Sequence, residues 1–113
     1  FATKGLNMLW ELRQYHIRDG KKDEWVRLME NEIIPFQVSK GMVILGSFTG
    51  EDDENIYVWM RRFENESERE RLYKEVYDSD YWKNEIGPQI PDLMDREKVN
   101  VTRLEPTPLS PIQ

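Results

Sequence analysis

The stretch NIYVWMRRF, residues 55 to 63, is rich in residues that favour a strand, and its alternation places Ile56, Val58 and Met60 on one face and Tyr57, Trp59, Arg61 and Phe63 on the other. Just before it, MVILGSFT at 42 to 49 is a second short apolar run. The acidic segment Gly50-Glu51-Asp52-Asp53-Glu54 separates the two, which predicts a hairpin. Strand two is apolar on both faces, so alternation does not orient it.

Working outward, Asn65 and Glu68 have the spacing of a helix cap, and Leu72, Tyr73, Val76 and Tyr77 mark one face of a helix over 66–78. Ser79, Tyr81 and Trp82 suggest a further short helical turn. Gly87, Pro88 and Pro91 then interrupt regular structure before a closing strand, EKVNVTRL, at 97–104. Towards the N-terminus, MLWELRQYHIR at 8–18 predicts strand one, ended by Asp19-Gly20. Trp25, Met29, Ile33 and Phe36 recur at helical spacing across 21–39, with Pro35 expected to kink that helix or end its regular part and Gly41 to terminate it.

The order strand, helix, strand, strand, helix, strand is the ferredoxin-like βαββαβ arrangement, an α+β fold with a four-stranded antiparallel sheet and both helices on one face. Strand one divides into Trp10, Leu12, Gln14 and His16 against Glu11, Arg13, Tyr15 and Ile17; strand four divides into Val99 and Val101 against Asn100 and Thr102. If the aliphatic set of strand three belongs under the helices, then Glu11, Arg13, Tyr15, Tyr57, Trp59, Arg61, Asn100 and Thr102 are expected on the uncovered face. Such a face, aromatic yet charged, suits a half-buried surface. A small domain also gains by sharing that face with a second copy, so a homodimer is expected.

At 113 residues the chain has room for one core, and 38% apolar against 34% charged residues is polar for a globular domain, offset by four Trp, five Tyr and four Phe. The domain is expected over 8–105, with 1–7 an N-terminal extension or expression remnant and 106–113 a Pro-rich, extended and mobile tail. Sixteen basic and twenty-two acidic residues give a net charge of −6, with the basic ones scattered, which argues against nucleic acid as a partner. The absence of cysteine excludes disulfides, thiolate nucleophiles and cysteine-ligated metals. No apolar run approaches the ~20 residues of a membrane span, and the first residues lack the apolar core of a signal peptide; a cytoplasmic protein is expected.

His16 is the only histidine, so a multi-histidine metal site is impossible and a histidine-based triad would need it. Glu51 to Asn55 lacks the spacing and central glycine of a calcium loop, and neither a phosphate-binding glycine fingerprint nor a nucleophile elbow occurs. Arg13 and Arg61 are the candidate ligand anchors, because an enclosed guanidinium must be satisfied by a carboxylate or by an anionic ligand. Pairing with Glu11 or a cross-strand partner is the alternative. Tyr15, Tyr57 and Trp59 complete the candidate ligand-binding set as walls, although interface packing also accounts for them. Tyr81 and Trp82 either cap a pocket mouth or anchor their helical turn to the core.

Glu11-Leu12-Arg13-Gln14-Tyr15 followed by Gly20, Tyr57-Val58-Trp59 leading to Arg62-Phe63, and the Tyr81-Trp82 segment resemble the NIPSNAP family, and the similarity covers about 8–105. The resemblance implies a dimeric α/β barrel, a fold whose relatives include small monooxygenases, isomerases and stress-response proteins. Several of those use no metal or organic cofactor, and none is expected here. The family's own chemistry is largely undefined, so the resemblance carries no activity across. It leaves a barrel that binds a small apolar or anionic organic molecule, a cofactor-independent monooxygenase or isomerase, or a non-catalytic interaction protein that uses the barrel to dimerise.

Overall fold

In a computed structural model that describes residues 8–113, the expected order of elements is present. Strand β1 (Leu9–Ile17) leads into helix α1 (Lys22–Leu28), a wide π-helical turn (Met29–Ile33) and helix α2 (Ile34–Ser39). Strands β2 (Val43–Thr49) and β3 (Ile56–Phe63) form the hairpin, followed by helix α3 (Glu66–Tyr77). A second π-helical turn (Trp82–Ile86) and a 3₁₀ turn (Gly87–Gln89) pass through the short helix α4 (Ile90–Leu93) into β4 (Met94–Leu104). All pairings are antiparallel in the order β2-β3-β1-β4, and the sheet is open, not closed into a barrel. The expected extension, residues 1–7, lies outside the described residues.

Local chemistry explains the boundaries. Asn65 caps α3, its side chain accepting from the Glu68 amide at 2.8 Å, while the Glu68 carboxylate accepts from the Glu64 amide at 2.8 Å. Pro35 does not end the first helix. It has no N–H to offer the carbonyl one turn back, and the wide turn ahead of it absorbs the mismatch: the Ile34 amide bonds the Met29 carbonyl five residues earlier. Trp25, Met29, Ile33 and Gln37 thus stay on one buried row. In β2, Gly46 sits at φ +82° where the register shifts between Leu45 and Ser47. That bulge sends Leu45 and Phe48 to one face, opposite Met60 and Val58, and Ser47 to the other, which is why alternation does not orient this strand.

The faces of the sheet are the reverse of the sequence expectation. Tyr15, Tyr57, Trp59, Glu11 and Arg61 are buried beneath the helices, packed with Trp25, Leu28, Met29 and Ile33 or with the residues of α3. The uncovered face carries Leu12, Gln14, His16, Ile56, Val58 and Met60, together with Val43, Leu45, Phe48 and Leu104. Asn100 and Thr102 are on this uncovered face as expected, but opposite Gln14 and Leu12. The aromatic set wins the interior because its rings carry more apolar area than the aliphatic set, and because Glu11 and Arg61 neutralise each other there.

The tail is not extended. It turns at Thr107–Ser110, where the Ser110 amide bonds the Thr107 carbonyl at 3.0 Å. Pro106, Ser110 and Ile112 border a groove with Trp10 and Met60, and Trp10 is only 5% exposed although it belongs to the uncovered face. Arg62 donates to the Gln113 carbonyl oxygen at 2.9 Å.

Trp25 is 1% exposed, in edge contact with Tyr15 at 5.8 Å and with Tyr57 at 5.9 Å. Trp25→Ala is expected to destabilise the fold by roughly 3–5 kcal/mol, read from the urea midpoint at constant m. A loss below about 1 kcal/mol would show that this row does not hold the helix to the sheet.

Candidate functional site

Glu11 on β1 and Arg61 on β3 are directly paired in the sheet, both fully buried, with Arg61 Nη2 2.8 Å from Glu11 Oε1. The guanidinium also donates through Nε to Glu11 Oε1 (3.2 Å), through Nη2 to Tyr73 Oη (2.7 Å), and through Nη1 to Tyr77 Oη (2.7 Å) and Gln37 Oε1 (2.9 Å). A guanidinium has five N–H groups, and these contacts occupy them all. Burial works against its charge, but the Tyr77 and Tyr73 oxygens and the Glu11 carboxylate outweigh burial, so Arg61 remains firmly protonated. Arg61 therefore satisfies the pairing alternative and is not a free ligand anchor.

The other carboxylate oxygen, Glu11 Oε2, accepts from Tyr73 Oη at 2.6 Å and from Arg69 Nε at 2.7 Å. Burial alone would raise the Glu11 pKa, yet the Arg61 charge and the hydrogen bonds from Tyr73, Arg69 and Arg61 hold it below the usual carboxylate range. The Tyr73 hydroxyl is pushed up to about 12, chiefly by burial, so it stays protonated and donates to Glu11.

Beside this network lies a half-open cavity of about 280 Å³ between the sheet and the helices. Arg13, Tyr15 and Trp59 wall it from the sheet, Trp25, Met29, Ile33 and Gln37 from the first helical stretch, and Tyr73 and Tyr77 from α3. Trp82, Ile90 and Met94 complete it, together with Arg96 and Val99 from an irregular part of β4. There Asp95 pairs with His16 and Asn100 with Gln14, so residues 96–99 stand opposite Tyr15 alone, and the sheet edge gapes where the cavity forms.

Arg13 is the guanidinium with capacity to spare. Its Nε donates to Tyr15 Oη at 2.7 Å and its Nη1 reaches Tyr73 Oη only at 3.4 Å; among the described residues Nη2 makes no hydrogen bond. The side chain is 17% exposed. Burial raises the Tyr15 pKa, so its hydroxyl is neutral.

Of the five residues singled out in the sequence, three thus meet at the cavity: Arg13, Tyr15 and Trp59. Arg61 lies behind Tyr73 and Tyr77, and Tyr57 turns to Ser47, their hydroxyls 2.5 Å apart. His16 is on the opposite face of the sheet. Tyr81 is 41% exposed and meets Phe36 edge to face outside the cavity, whereas Trp82 forms part of its wall. Gln37, Tyr73, Tyr77 and Arg69 were not anticipated as site residues. The four-residue row from Trp25 through Met29 and Ile33 points to Gln37, and the buried-face spacing of α3 contains both tyrosines.

The NIPSNAP family model matches residues 10–111. The chain belongs to the NIPSNAP family. Solved structures agree on its fold: a NIPSNAP family protein from Agrobacterium tumefaciens superposes with a TM-score of 0.83 at 24% identity, over 94% of this chain and 99% of that one. A second NIPSNAP family protein from the same organism, described as having unknown function, gives 0.84 at 23% identity, with 96% of each chain covered. A NIPSNAP-like domain protein from Burkholderia xenovorans gives 0.82 at 23% identity, over 94% of this chain and 90% of that one. No curated protein is detectably similar in sequence. Among the described residues of this NIPSNAP domain, no helix is long and apolar enough to cross a membrane, and no cluster of three His, Asp or Glu residues could hold a metal ion.

Because the folded Glu11 pKa lies below its unfolded value, the ionised carboxylate stabilises the NIPSNAP fold above pH ~4.3, and that contribution is lost as pH falls through the folded pKa. Glu11→Gln leaves Arg61 buried without its counter-charge. It is expected to cost roughly 3–5 kcal/mol at pH 7 and to flatten the acid limb of stability below pH ~4.3. Urea denaturation across pH 2–7 measures both; a variant within about 1 kcal/mol of wild type at pH 7 contradicts the role given to the pair.

Proposed function

We propose that this NIPSNAP domain binds a small apolar or anionic organic molecule in the cavity between its sheet and its helices, with Arg13, Tyr15 and Trp59 among the contacts. The observation that carries this reading is the cavity itself: about 280 Å³, walled by aromatic rings, with an incompletely paired guanidinium at its side. Its volume is near the lower end of the ~300–1,000 Å³ usual for small-molecule sites, which suits a ligand of about one ring. An apolar wall with few polar groups gives affinity through burial and orientation through the arginine.

The reading extends to a homodimer, supported by the uncovered face. Phe48 is 54% exposed, Leu104 42% and Val43 38%, and with Leu12, Val58 and Met60 they form an apolar surface across all four strands. A surface of that kind is stabilised by burial, and two copies meeting about a twofold axis bury it against itself. A barrel formed from two sheets would arise in this way, with aliphatic side chains in its interior and each cavity on the outer, helix-covered side.

Two outcomes test these statements. Analytical ultracentrifugation at micromolar concentration is expected to give a dimer that Phe48→Lys dissociates without loss of helix content; a monomeric wild type would remove the assembly from the reading. In a thermal-shift screen, a bound compound at a hundred times its dissociation constant adds about 2.7 kcal/mol. Arg13→Met is expected to reduce that shift and His16→Gln to leave it intact. The reverse pattern would move the site to the other face of the sheet.

A further inference from the structure

The wall of the cavity is one-sided in its hydrogen bonding. Its donors are in excess: Arg13 Nη2 has no acceptor among the described residues, and the Tyr15 hydroxyl receives a hydrogen bond from Arg13 Nε but gives its own proton to nothing. The indole N–H groups of Trp25 and Trp59 also lack acceptors, but they are sealed from solvent within the packing, so only the rings of these residues border the cavity. Acceptors, by contrast, are taken. Gln37 Oε1 and Tyr73 Oη accept from Arg61, and both Glu11 oxygens are occupied by Arg61, Arg69 and Tyr73. No carboxylate or imidazole lines the cavity. A ligand that presented donors would leave them unpaired on binding, which weakens it, whereas a ligand that presented acceptors would relieve unpaired donors already there.

Charge points the same way. Arg13, Arg61, Arg69 and Arg103 are linked by ion pairs to only two carboxylates, Glu11 and Glu66, so four positive charges face two negative ones and the connected network carries a surplus of two. Arg96 adds another guanidinium at the wall. This local surplus exists in a chain whose net charge is −6.

We infer, on the footing of the cavity reading above, that the ligand is an organic carboxylate on a single-ring or branched apolar body. Arg13 and the Tyr15 hydroxyl hold the carboxylate, and the rings of Trp25 and Trp59 wall the apolar body. Arg61 does not touch the ligand. It is a positioning residue that fixes Tyr73 and Tyr77 in the wall. Since the cavity offers donors and no base, the site recognises an anion that arrives already ionised.

The test uses matched probes on the intact protein: phenylacetate, phenylacetamide and 2-phenylethylamine, titrated by calorimetry and followed by the indole N–H signals of the four tryptophans in ¹H–¹⁵N spectra. Phenylacetate is expected to bind at least about tenfold more tightly than the amide, as a charge-assisted pair does, and the amine not measurably. The Trp25 and Trp59 signals should move and that of Trp10, on the other face, should not. Arg13→Met should abolish the tenfold margin and Tyr15→Phe should narrow it; Arg13→Lys, a second variant in case the first folds poorly, should retain part of it. Amide or amine binding as tightly as the acid, or a margin that survives Arg13→Met, overturns the carboxylate assignment while leaving the cavity reading in place. If no probe of any charge moves the Trp25 or Trp59 signals, the cavity reading falls and this inference with it.

Discussion

The rest of the domain is arranged around one buried ion pair, Glu11 with Arg61. The two residues are cross-strand partners on the central strands, both with no exposure. Burying either charge alone would cost several kcal/mol, so the pair is tolerable only with full hydrogen bonding. That requirement recruits every layer: Tyr73, Tyr77 and Arg69 from α3 and Gln37 from α2 all bond to the pair. The pair also specifies register. A slip of one residue between β1 and β3 would place one of the two charges on the uncovered face and leave the other buried alone.

The pair places a demand on the first helix as well. Gln37 must reach Arg61 from beyond Pro35, so the helix has to continue past a residue that cannot bond back. The wide turn at Met29–Ile33 makes that possible, and the Gln37 carbonyl then accepts from the Met42 amide at 3.0 Å, tying the end of α2 to the start of β2. Next to the network, the large rings of Tyr15, Trp25, Trp59, Tyr77 and Trp82 meet edge to face, with Tyr77 and Trp82 4.7 Å apart and the others that touch near 6 Å. With Tyr15 and Tyr77 fixed by hydrogen bonds and the indoles packed against them at these angles, the rings do not interdigitate as aliphatic chains do, and with the displaced residues 96–99 of β4 they border the cavity.

Sequence periodicity was enough to locate the strands, the helices and their order, because each element carries its own pattern of apolar spacing, caps and breakers. It misassigned the faces of the sheet. The error began at Ile56, Val58 and Met60, which look like core because they are aliphatic, whereas Arg61 and Glu11 look like surface because they are charged. What settles the matter is a pairing between residues fifty positions apart, which makes both charges acceptable inside; no local pattern contains it. The candidate site was legible in part for the same reason. Arg13, Tyr15 and Trp59 lie on one face of adjacent strands whichever way that face points, so alternation groups them correctly. Gln37 and the two α3 tyrosines enter only through the network. The β4 irregularity opposite Tyr15 depends on how four residues are looped out, which strand propensity does not encode.

The inverted faces also separate two properties that the sequence had merged. Had the aromatic and charged residues been on the uncovered side, ligand contacts and contacts between copies would have shared one surface, and a change at Arg13 would have disturbed both. Instead Arg13 and Leu12 are neighbours in the chain that point to opposite sides of a hydrogen-bonded sheet. Among the described residues the helix side holds the buried charges and the cavity, and the other side is a mixed, largely apolar surface with the tail over Trp10 at one end. A sheet is stiff across its plane because both neighbours of β1 bond to it, so substitution on one side perturbs the other mainly through strand displacement. The exception is the gap opposite Tyr15, where β4 leaves β1 and the sheet is least continuous.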